Sequence, residues 1–248
     1  MTILYRIYQL LVALPLGLLL TLIISLTTGI GCMLGSQTFW GYWPMRIWSV
    51  GMCRLFLLPV KVEGREHIAR GESFVFIANH QGAFDIFLIA GYLHRPFKWM
   101  MKQSLRSIPF VGWACAKAGF IFVDKSSRRG LVQTIQNART ALQDGSSMAI
   151  FPEGSRTTDG QMGAFQKGSF MLARQIGLPL VPITIDGSFD VLPRTRGFSF
   201  VTRHPLRLVI HRPIPPDDEA MERSYNIIRS ALPTAAQTDN PEAAAQAE

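Results

Sequence analysis

The sequence has few cysteines, and one long stretch has no charged residue at all. Its three cysteines, Cys32, Cys53 and Cys115, are isolated and lack metal-ligand spacing. The five histidines show no such spacing either, so we predict no metal site and disfavour a metallohydrolase. A Gly-x-Ser-x-Gly motif is absent, which argues against a serine nucleophile on a strand-to-helix turn.

The uncharged stretch runs from Ile7 to Met45, and its part from Leu10 to Ile30 is almost continuously apolar. A helix of about 20 such residues can span a bilayer core. A cleaved signal peptide would have a shorter apolar core followed by a small-residue cleavage site. We therefore predict an uncleaved membrane anchor over residues 1–58, with the bilayer as a partner.

Proline and glycines interrupt the apolar stretch, as at Pro15 and Gly29, and tryptophans such as Trp40 follow it. Positive residues flank both ends, Arg6 before it and Arg46 after it, so they set no single orientation. This symmetry favours a helical hairpin that dips into one leaflet over a single crossing helix.

The formal net charge of the 248 residues is +8, and basic residues are concentrated in one segment. Between residues 95 and 129 only Asp124 is acidic; the basic residues there are Arg95, Lys98, Lys102, Arg106, Lys117, Lys125, Arg128 and Arg129. Such a basic belt on an anchored protein suits anionic lipid headgroups, at about 1 kcal/mol for each cation. No nucleic-acid motif accompanies the charge, so we predict no nucleic-acid partner.

Predicted strands alternate with predicted helices over residues 59–231. The expected fold class is therefore α/β, with a mostly parallel mixed sheet flanked by helices. Prolines within Leu178–Ile185 indicate an edge strand or a bulge there. The remaining residues, 232–248, are rich in Ala, Gln and Glu and are predicted to be disordered. Polar clusters follow Ile77, Val123 and Phe151, and the carboxyl ends of parallel strands are where ligands gather.

The first polar cluster, Asn79–Asp85, joins an apolar strand to an apolar helix across a turn at Gly82. His80 and Asp85 can meet across this turn, and a carboxylate bonded to one ring nitrogen leaves the other free to act as a base. The alternative is structural, with Asp85 as a helix cap and His80 as an ordinary loop residue. No nucleophile lies nearby, so a substrate hydroxyl could take that role.

Four blocks, in order, resemble the glycerolipid acyltransferase family. They are His80-x4-Asp85, then Ser107–Gly112 with Gly119–Arg128, then Phe151–Thr157, and finally Leu180–Thr184. The resemblance covers roughly residues 60 to 190, and the third block beside the first is highly specific in combination. The interior of the first block, Gly82-Ala-Phe, is less polar than in many members of the family.

The resemblance implies transfer of a fatty acyl group to the sn-2 hydroxyl of 1-acylglycerol-3-phosphate, giving phosphatidic acid. The implied donor is acyl-CoA or acyl-carrier protein, and no bound cofactor is expected. The implied place is the cytoplasmic face of a bacterial inner membrane. By the same resemblance His80 is the general base and Asp85 orients it. From the geometry of the turn, and not from the resemblance, backbone amides after His80 at the start of the helix near Phe84 are expected to stabilise the oxyanion.

The third block supplies the implied acceptor site. Arg156 is the candidate for the phosphate, because a guanidinium can bind phosphate through two hydrogen bonds. Further candidates for the phosphate or glycerol are Glu153, Gly154, Lys125 and Arg128, and Lys102 and Lys167 are weaker ones. Val181 and Pro182, in the fourth block, are expected to be structural or to line the acyl channel.

Two other functions stay open at this point. One is acyl transfer to another lysolipid, such as a lyso-ornithine lipid or a remodelled lysophospholipid. The other is a membrane-bound binding or scaffold protein without turnover, which the presence of His80, Asp85, Glu153 and Arg156 together disfavours.

Overall fold

The structure, a computed structural model, describes residues 2–69, 71–124, 128–142, 145–197 and 199–233. Within them the strands are β1 (Val60–Glu63), β2 (Val75–Ala78), β3 (Phe97–Lys102), β4 (Ile121–Val123), β5 (Ser147–Ile150), β6 (Leu180–Asp186) and β7 (Leu206–Ile210). The helices are α1 (Thr2–Tyr8), α2 (Leu14–Leu34), α3 (Gln37–Leu55), α4 (Asp85–Tyr92), α5 (Val111–Lys117), α6 (Arg128–Leu142), α7 (Lys167–Ile176), α8 (Ser188–Val191) and α9 (Ala220–Ser230). A π-helical segment, Gln9–Ala13, joins α1 to α2.

The strands form a single sheet in the order β1-β7-β6-β2-β5-β3-β4. Neighbouring strands run parallel except β6 and β7, which are antiparallel, so the predicted mostly parallel mixed sheet is confirmed. Because β2 and β5 are adjacent, the polar clusters after Ile77 and Phe151 share one end of the sheet. The strand before the remaining cluster, which follows Val123, is β4, and it lies at the sheet edge, two positions from β5.

The prolines predicted an edge strand or a bulge, and the edge alternative was wrong, because β6 lies inside the sheet between β7 and β2. Its tolerance of Pro182 has a geometric reason. The carbonyl of Pro182 accepts from the amide of His211, one residue beyond the end of β7. The missing N–H of Pro182 points to that same side, where regular pairing with β7 has just ended.

Each face of the sheet is covered by its own apolar cluster. Phe76, Val181 and Ile183 belong to the cluster that packs beneath α3 and α4, whereas Val75 and Ile77 belong to the cluster beneath α6, α7 and α9. This alternation follows from the two-residue period of a strand, in which successive side chains point to opposite faces. Both faces are buried at the centre of the sheet, so β2 is apolar throughout.

Helices α2 and α3 pack antiparallel. Trp40 lies against Gly31, Met52 lies against Gly17, and the Trp48 indole donates to Thr21 Oγ1 at 2.9 Å. Among the described residues one helical stretch, Ile3–Leu34, is long and apolar enough to cross a membrane. Its outer side chains are exposed, including Leu4 and Leu18, while Tyr42, Met45 and Cys53 of α3 are buried in the core.

The predicted basic belt is wrong for at least one residue. Lys98 is only 6% exposed, and its ammonium donates to the carbonyl of Ala141 at 2.6 Å. The guanidinium of Arg106 lies over the Phe122 ring, 5.6 Å from the ring centroid. Lys102 and Lys117 are exposed. The described basic residues of the segment 95–129 therefore do not all lie in one exposed belt.

Asn79 ties the end of β2 to β6. Its side-chain amide donates to the carbonyl of Ile185 at 2.8 Å, and its side-chain oxygen accepts from the amide of Ile185 at 2.8 Å. Asn79 is fully buried, so both hydrogen bonds are shielded from water. This pair of bonds sets where the chain leaves the sheet before His80.

Replacing Asn79 by Ala should lower the free energy of unfolding by about 2 to 5 kcal/mol, because it leaves a buried donor and a buried acceptor of Ile185 unpaired. Chemical denaturation in detergent micelles measures this loss. Asn226→Ala, at an exposed position of α9, is the matched control and should change stability by less than about 0.5 kcal/mol. Equal stability of the two variants would contradict the assigned role of Asn79.

Candidate active site

His80 and Asp85 are in direct contact across the turn that follows β2, as their spacing predicts. His80 Nδ1 lies 2.7 Å from Asp85 Oδ2, and the amide of Gly82 donates to the same oxygen at 2.9 Å. The Asp85 side chain is fully buried, whereas the His80 side chain is 17% exposed. Asp85 is also the first residue of α4, where the positive end of the helix dipole favours a carboxylate.

The carboxylate determines which ring nitrogen of His80 can act. Asp85 accepts at Nδ1, so the proton of the neutral ring sits there and the lone pair is on Nε2. No described residue forms a hydrogen bond with Nε2. The arrangement can therefore take a proton from a hydroxyl placed at Nε2, and the resulting imidazolium would be stabilised by Asp85.

Aromatic stacking covers one face of the His80 imidazole ring. The ring of Phe151 lies parallel to the His80 ring, with centroids 3.9 Å apart, and Trp99 stacks behind Phe151 at 5.5 Å. The sequence pattern predicts that Phe151 lies at the end of a strand, but it does not predict a role for the aromatic ring. Its contact with His80 depends on β2 and β5 being neighbours, which the local pattern does not reveal.

The turn at Gly82 has no room for a side chain. A Cβ at this position would lie 2.2 Å from the carbonyl oxygen of Ser188. The turn is bonded to the segment after α8, because Gly82 forms a β-bridge with Pro193 and the Ala83 amide donates to Leu192. The expectation that amides after His80 serve an oxyanion is wrong for Gly82 and Ala83, which donate within the protein.

Glu153 fastens the backbone of His80. One carboxylate oxygen accepts from the His80 amide at 2.7 Å, and the other accepts from the Gly163 amide at 2.9 Å. Burial raises the pKa of Glu153 to about 8, against the opposing effect of these two hydrogen bonds. Both oxygens thus contact the protein itself, and a role in seating glycerol stays a prediction. Gly154, the next residue, adopts a left-handed conformation with φ of +73°.

Arg156 lies in the loop that contains Glu153 and Gly154, next to the His80 turn. The amide of its neighbour Thr157 donates to the carbonyl of His80 at 2.9 Å. The Arg156 guanidinium has no hydrogen bond or ion pair with any residue in the described ranges. It is half-buried and uncommitted, which suits a cation that binds an anionic ligand.

The other predicted binding residues are less informative. Lys125 and the side chain of Arg128 lie outside the described part of the chain. Val181 and Pro182 pair with Phe76 and Ile77 in the middle of the sheet, several residues below the His80 turn. Lys102 and Lys167 are exposed. In the described residues no group of three or more His, Cys, Asp or Glu side chains could hold a metal ion.

Comparison with known families identifies the class of protein. The family model described as Acyltransferase matches residues 59–186, which is more than half of the chain. The chain therefore belongs to the acyltransferase family. Its His80 turn and its Glu153–Arg156 loop both fall within the matched residues.

Relatives and one solved structure carry a more specific name. A 1-acyl-sn-glycerol-3-phosphate acyltransferase of Chlamydomonas reinhardtii is 32% identical over 178 residues, covering 70% of this chain and 53% of that protein. Enzymes of the same name from Pseudomonas aeruginosa and Borreliella burgdorferi are 36% and 33% identical, covering 50% and 61% of this chain and 48% and 64% of theirs. The chain spans about half the length of the first curated relatives it matches.

The crystal structure of the 1-acyl-sn-glycerophosphate (LPA) acyltransferase PlsC from Thermotoga maritima is similar in fold. The TM-score is 0.61 at 26% sequence identity, and the match covers 87% of this chain and 94% of that one. The share of the chain that is covered is larger than the 59–186 range of the family match.

The raised pKa of Glu153 predicts a pH-dependent stability. Since the folded-state pKa of about 8 lies above the ordinary value of 4.5, the folded protein holds this proton more tightly than the unfolded chain. The stabilisation is full below about pH 4.5 and is lost as pH rises through about 8. Glu153→Gln should remove that loss, so its stability relative to the wild type should increase from pH 5 to pH 8.5.

Unfolding in denaturant across this pH range measures the difference. Glu72→Gln, an exposed glutamate on the surface, is the matched control and should follow the wild type at every pH. If wild type and Glu153→Gln differ by the same amount at pH 5 and at pH 8.5, the Glu153 carboxyl does not titrate as described.

Proposed function

We propose that this protein is a 1-acylglycerol-3-phosphate O-acyltransferase that moves a fatty acyl group from a thioester to the sn-2 hydroxyl of lysophosphatidic acid. The observation that carries the proposal is the His80–Asp85 pair, whose Nε2 forms no hydrogen bond with a serine, threonine or cysteine among the described residues. The family membership and the names of the relatives support the reaction and the acceptor. The scaffold alternative has nothing comparable in its favour, because such a protein needs neither the pair nor an uncommitted Arg156.

In the proposed reaction the acceptor hydroxyl replaces the serine of a hydrolase. As its oxygen attacks the thioester carbonyl carbon, its proton passes to His80 Nε2, and Asp85 stabilises the imidazolium. The tetrahedral intermediate then collapses and expels the thiolate. The thiolate takes the proton back from His80 and leaves as the thiol, so phosphatidic acid is formed and the histidine is restored.

Each neighbouring residue has a proposed part in this step. Asp85 and the stacked Phe151 hold the imidazole in one plane and one tautomer. Glu153 holds the backbone at His80. Arg156 binds the acceptor phosphate, and Lys125 and Arg128 remain proposed members of that phosphate site. The donor is acyl-CoA or acyl-carrier protein.

The proposed setting is a membrane surface. We infer that α1 to α3 embed in one leaflet as a helical hairpin. Most of the exposed large apolar side chains lie on these helices, including Phe39 and Ile47 of α3, while the other side of α3 packs on the catalytic domain. The acceptor is itself a membrane lipid, so an anchored enzyme meets it at the bilayer. We place the active site on the cytoplasmic face of a bacterial inner membrane, where acyl thioesters are available.

His80→Ala should lower kcat by about 100- to 10,000-fold, because it removes the general base. The measurement is the release of thiol from an acyl thioester with lysophosphatidic acid as acceptor. His67→Gln is the matched control, since His67 contacts Ile210 of β7, two strands away from β2, and it should keep kcat within about twofold. A His80→Ala enzyme with near-normal turnover would disprove the proposed mechanism.

Arg156→Ala should raise the KM for lysophosphatidic acid by about 10- to 100-fold, the loss expected from charged hydrogen bonds of about 1.5 to 3 kcal/mol. The KM for the acyl thioester should change little, which provides an internal control. Arg212→Ala, at an exposed position at the other end of the sheet, should change neither. Equal effects on donor and acceptor would remove the phosphate role of Arg156.

A panel of acceptors tests the choice of lipid. With one labelled thioester, the wild type should acylate lysophosphatidic acid faster than a lyso-ornithine lipid or a lysophospholipid with a larger headgroup. The reverse order would keep the acyltransferase chemistry but assign another lysolipid as the substrate.

A further inference from the structure

A second cationic surface lies beside the catalytic turn, in the connection between β6 and β7. Its described members are Arg194, Arg196 and Arg203, together with Arg6 of α1 and the aromatic ring of Phe200. All are exposed, and the Arg6 guanidinium lies 5.4 Å from the centroid of the Phe200 ring. We call these five residues the arginine surface. None of them belongs to the four blocks or to the predicted basic belt.

The arginine surface carries little opposing charge. From Val191 to Pro216 the chain has no acidic residue. The acidic residue that precedes this stretch, Asp190, lies 4.0 Å from His204. In the described residues the guanidinium groups of Arg196 and Arg203 bond to Thr202 and to the carbonyl of Leu57, which are neutral partners. The positive charge of these arginines is therefore not neutralised by these partners and is available to bind an anionic ligand outside the chain.

The connection is fixed to the apolar N-terminal helices. The Gln9 side chain donates to the carbonyl of Val201 at 2.9 Å and accepts from the Val201 amide at 2.8 Å, and Gln9 is only 3% exposed. Arg6 precedes Gln9 by one helical turn, and exposed apolar residues such as Leu4 and Leu11 share this helical stretch. Cations at the end of an exposed apolar helix lie where a bilayer places its phosphates.

The same connection is fixed to the catalytic turn. Leu192 accepts from the Ala83 amide at 3.1 Å, and Pro193 forms a bridge with Gly82, so Arg194 follows directly after the contact. The connection thus links the His80 turn at one end to the apolar helix at the other. If the arginine surface is bound to lipid headgroups, it holds the His80 turn at a defined depth relative to the bilayer.

We propose that the arginine surface docks on the anionic headgroups of a bilayer and sets the catalytic turn at the lipid–water boundary. The charge complementarity and the continuity with the exposed apolar helix favour a lipid surface over an acidic protein. This docking is independent of the reaction proposed above, since it needs neither His80 nor an acyl donor.

A local fluorescence measurement tests the proposal on the full chain. Thr195, exposed between two of the arginines, is replaced by Cys in a Cys32→Ser/Cys115→Ser background and labelled with a fluorophore. The labelled protein is bound to phosphatidylcholine vesicles with and without 30 mol% phosphatidylglycerol, both carrying a headgroup spin-label quencher. Quenching should be strong with the anionic lipid and weak without it, and 1 M salt should reduce it.

Charge removal gives the matched comparison. Arg194→Gln/Arg196→Gln should lose the lipid-dependent quenching and should partition about 30-fold less well into anionic vesicles, since each cation contributes about 1 kcal/mol and 1.4 kcal/mol is tenfold. Partition into phosphatidylcholine alone should not change. Arg139→Gln/Arg212→Gln removes two exposed charges elsewhere on the surface and should behave as the wild type.

Two results would overturn the proposal. In the first, the vesicle-bound protein keeps an unquenched label on anionic lipid. In the second, an acidic acyl-carrier protein protects the label and anionic vesicles do not, which would assign the surface to that protein. His80→Ala should dock as the wild type does, so loss of acyl transfer with intact docking would count against the proposed reaction alone.

Discussion

The hydrogen bond from His80 to the buried carboxylate of Asp85 is the interaction on which the active site depends. A buried carboxylate is costly unless it is hydrogen-bonded, and here the imidazole, the Gly82 amide and the start of α4 all favour it. Only four residues separate His80 from Asp85 in the turn that brings these groups together. It requires Gly82, because a side chain there would meet Ser188.

The surrounding structure can be understood as support for this turn. Asn79 fixes the exit from β2, Glu153 fastens the His80 amide, and Phe151 stacks on the imidazole. Asn79 follows β2, whereas Phe151 and Glu153 both follow β5, so the site depends on these two strands being neighbours. What they leave open is the Nε2 side of the ring, where a substrate hydroxyl can approach. The uncommitted Arg156 lies in the loop that contacts the same turn.

Much of this was predictable from local pattern. The two-residue and 3.6-residue periods indicated the strands and helices, and the spacing of His80 and Asp85 across a glycine turn indicated their contact. Strand order was not predictable in this way, so the stacking of Phe151 and the interior position of β6 were missed. Lys98 was placed on the surface because it is charged, yet its stem is buried and its ammonium reaches the carbonyl of Ala141.

The central claim is that the acceptor hydroxyl attacks the thioester directly, with no covalent acyl-enzyme. The most direct test mixes the purified protein with an acyl thioester in the absence of acceptor and records the intact mass of the protein. The account predicts no increase in mass, and release of thiol only after lysophosphatidic acid is added. An acyl adduct on the protein that disappears as phosphatidic acid forms would contradict it.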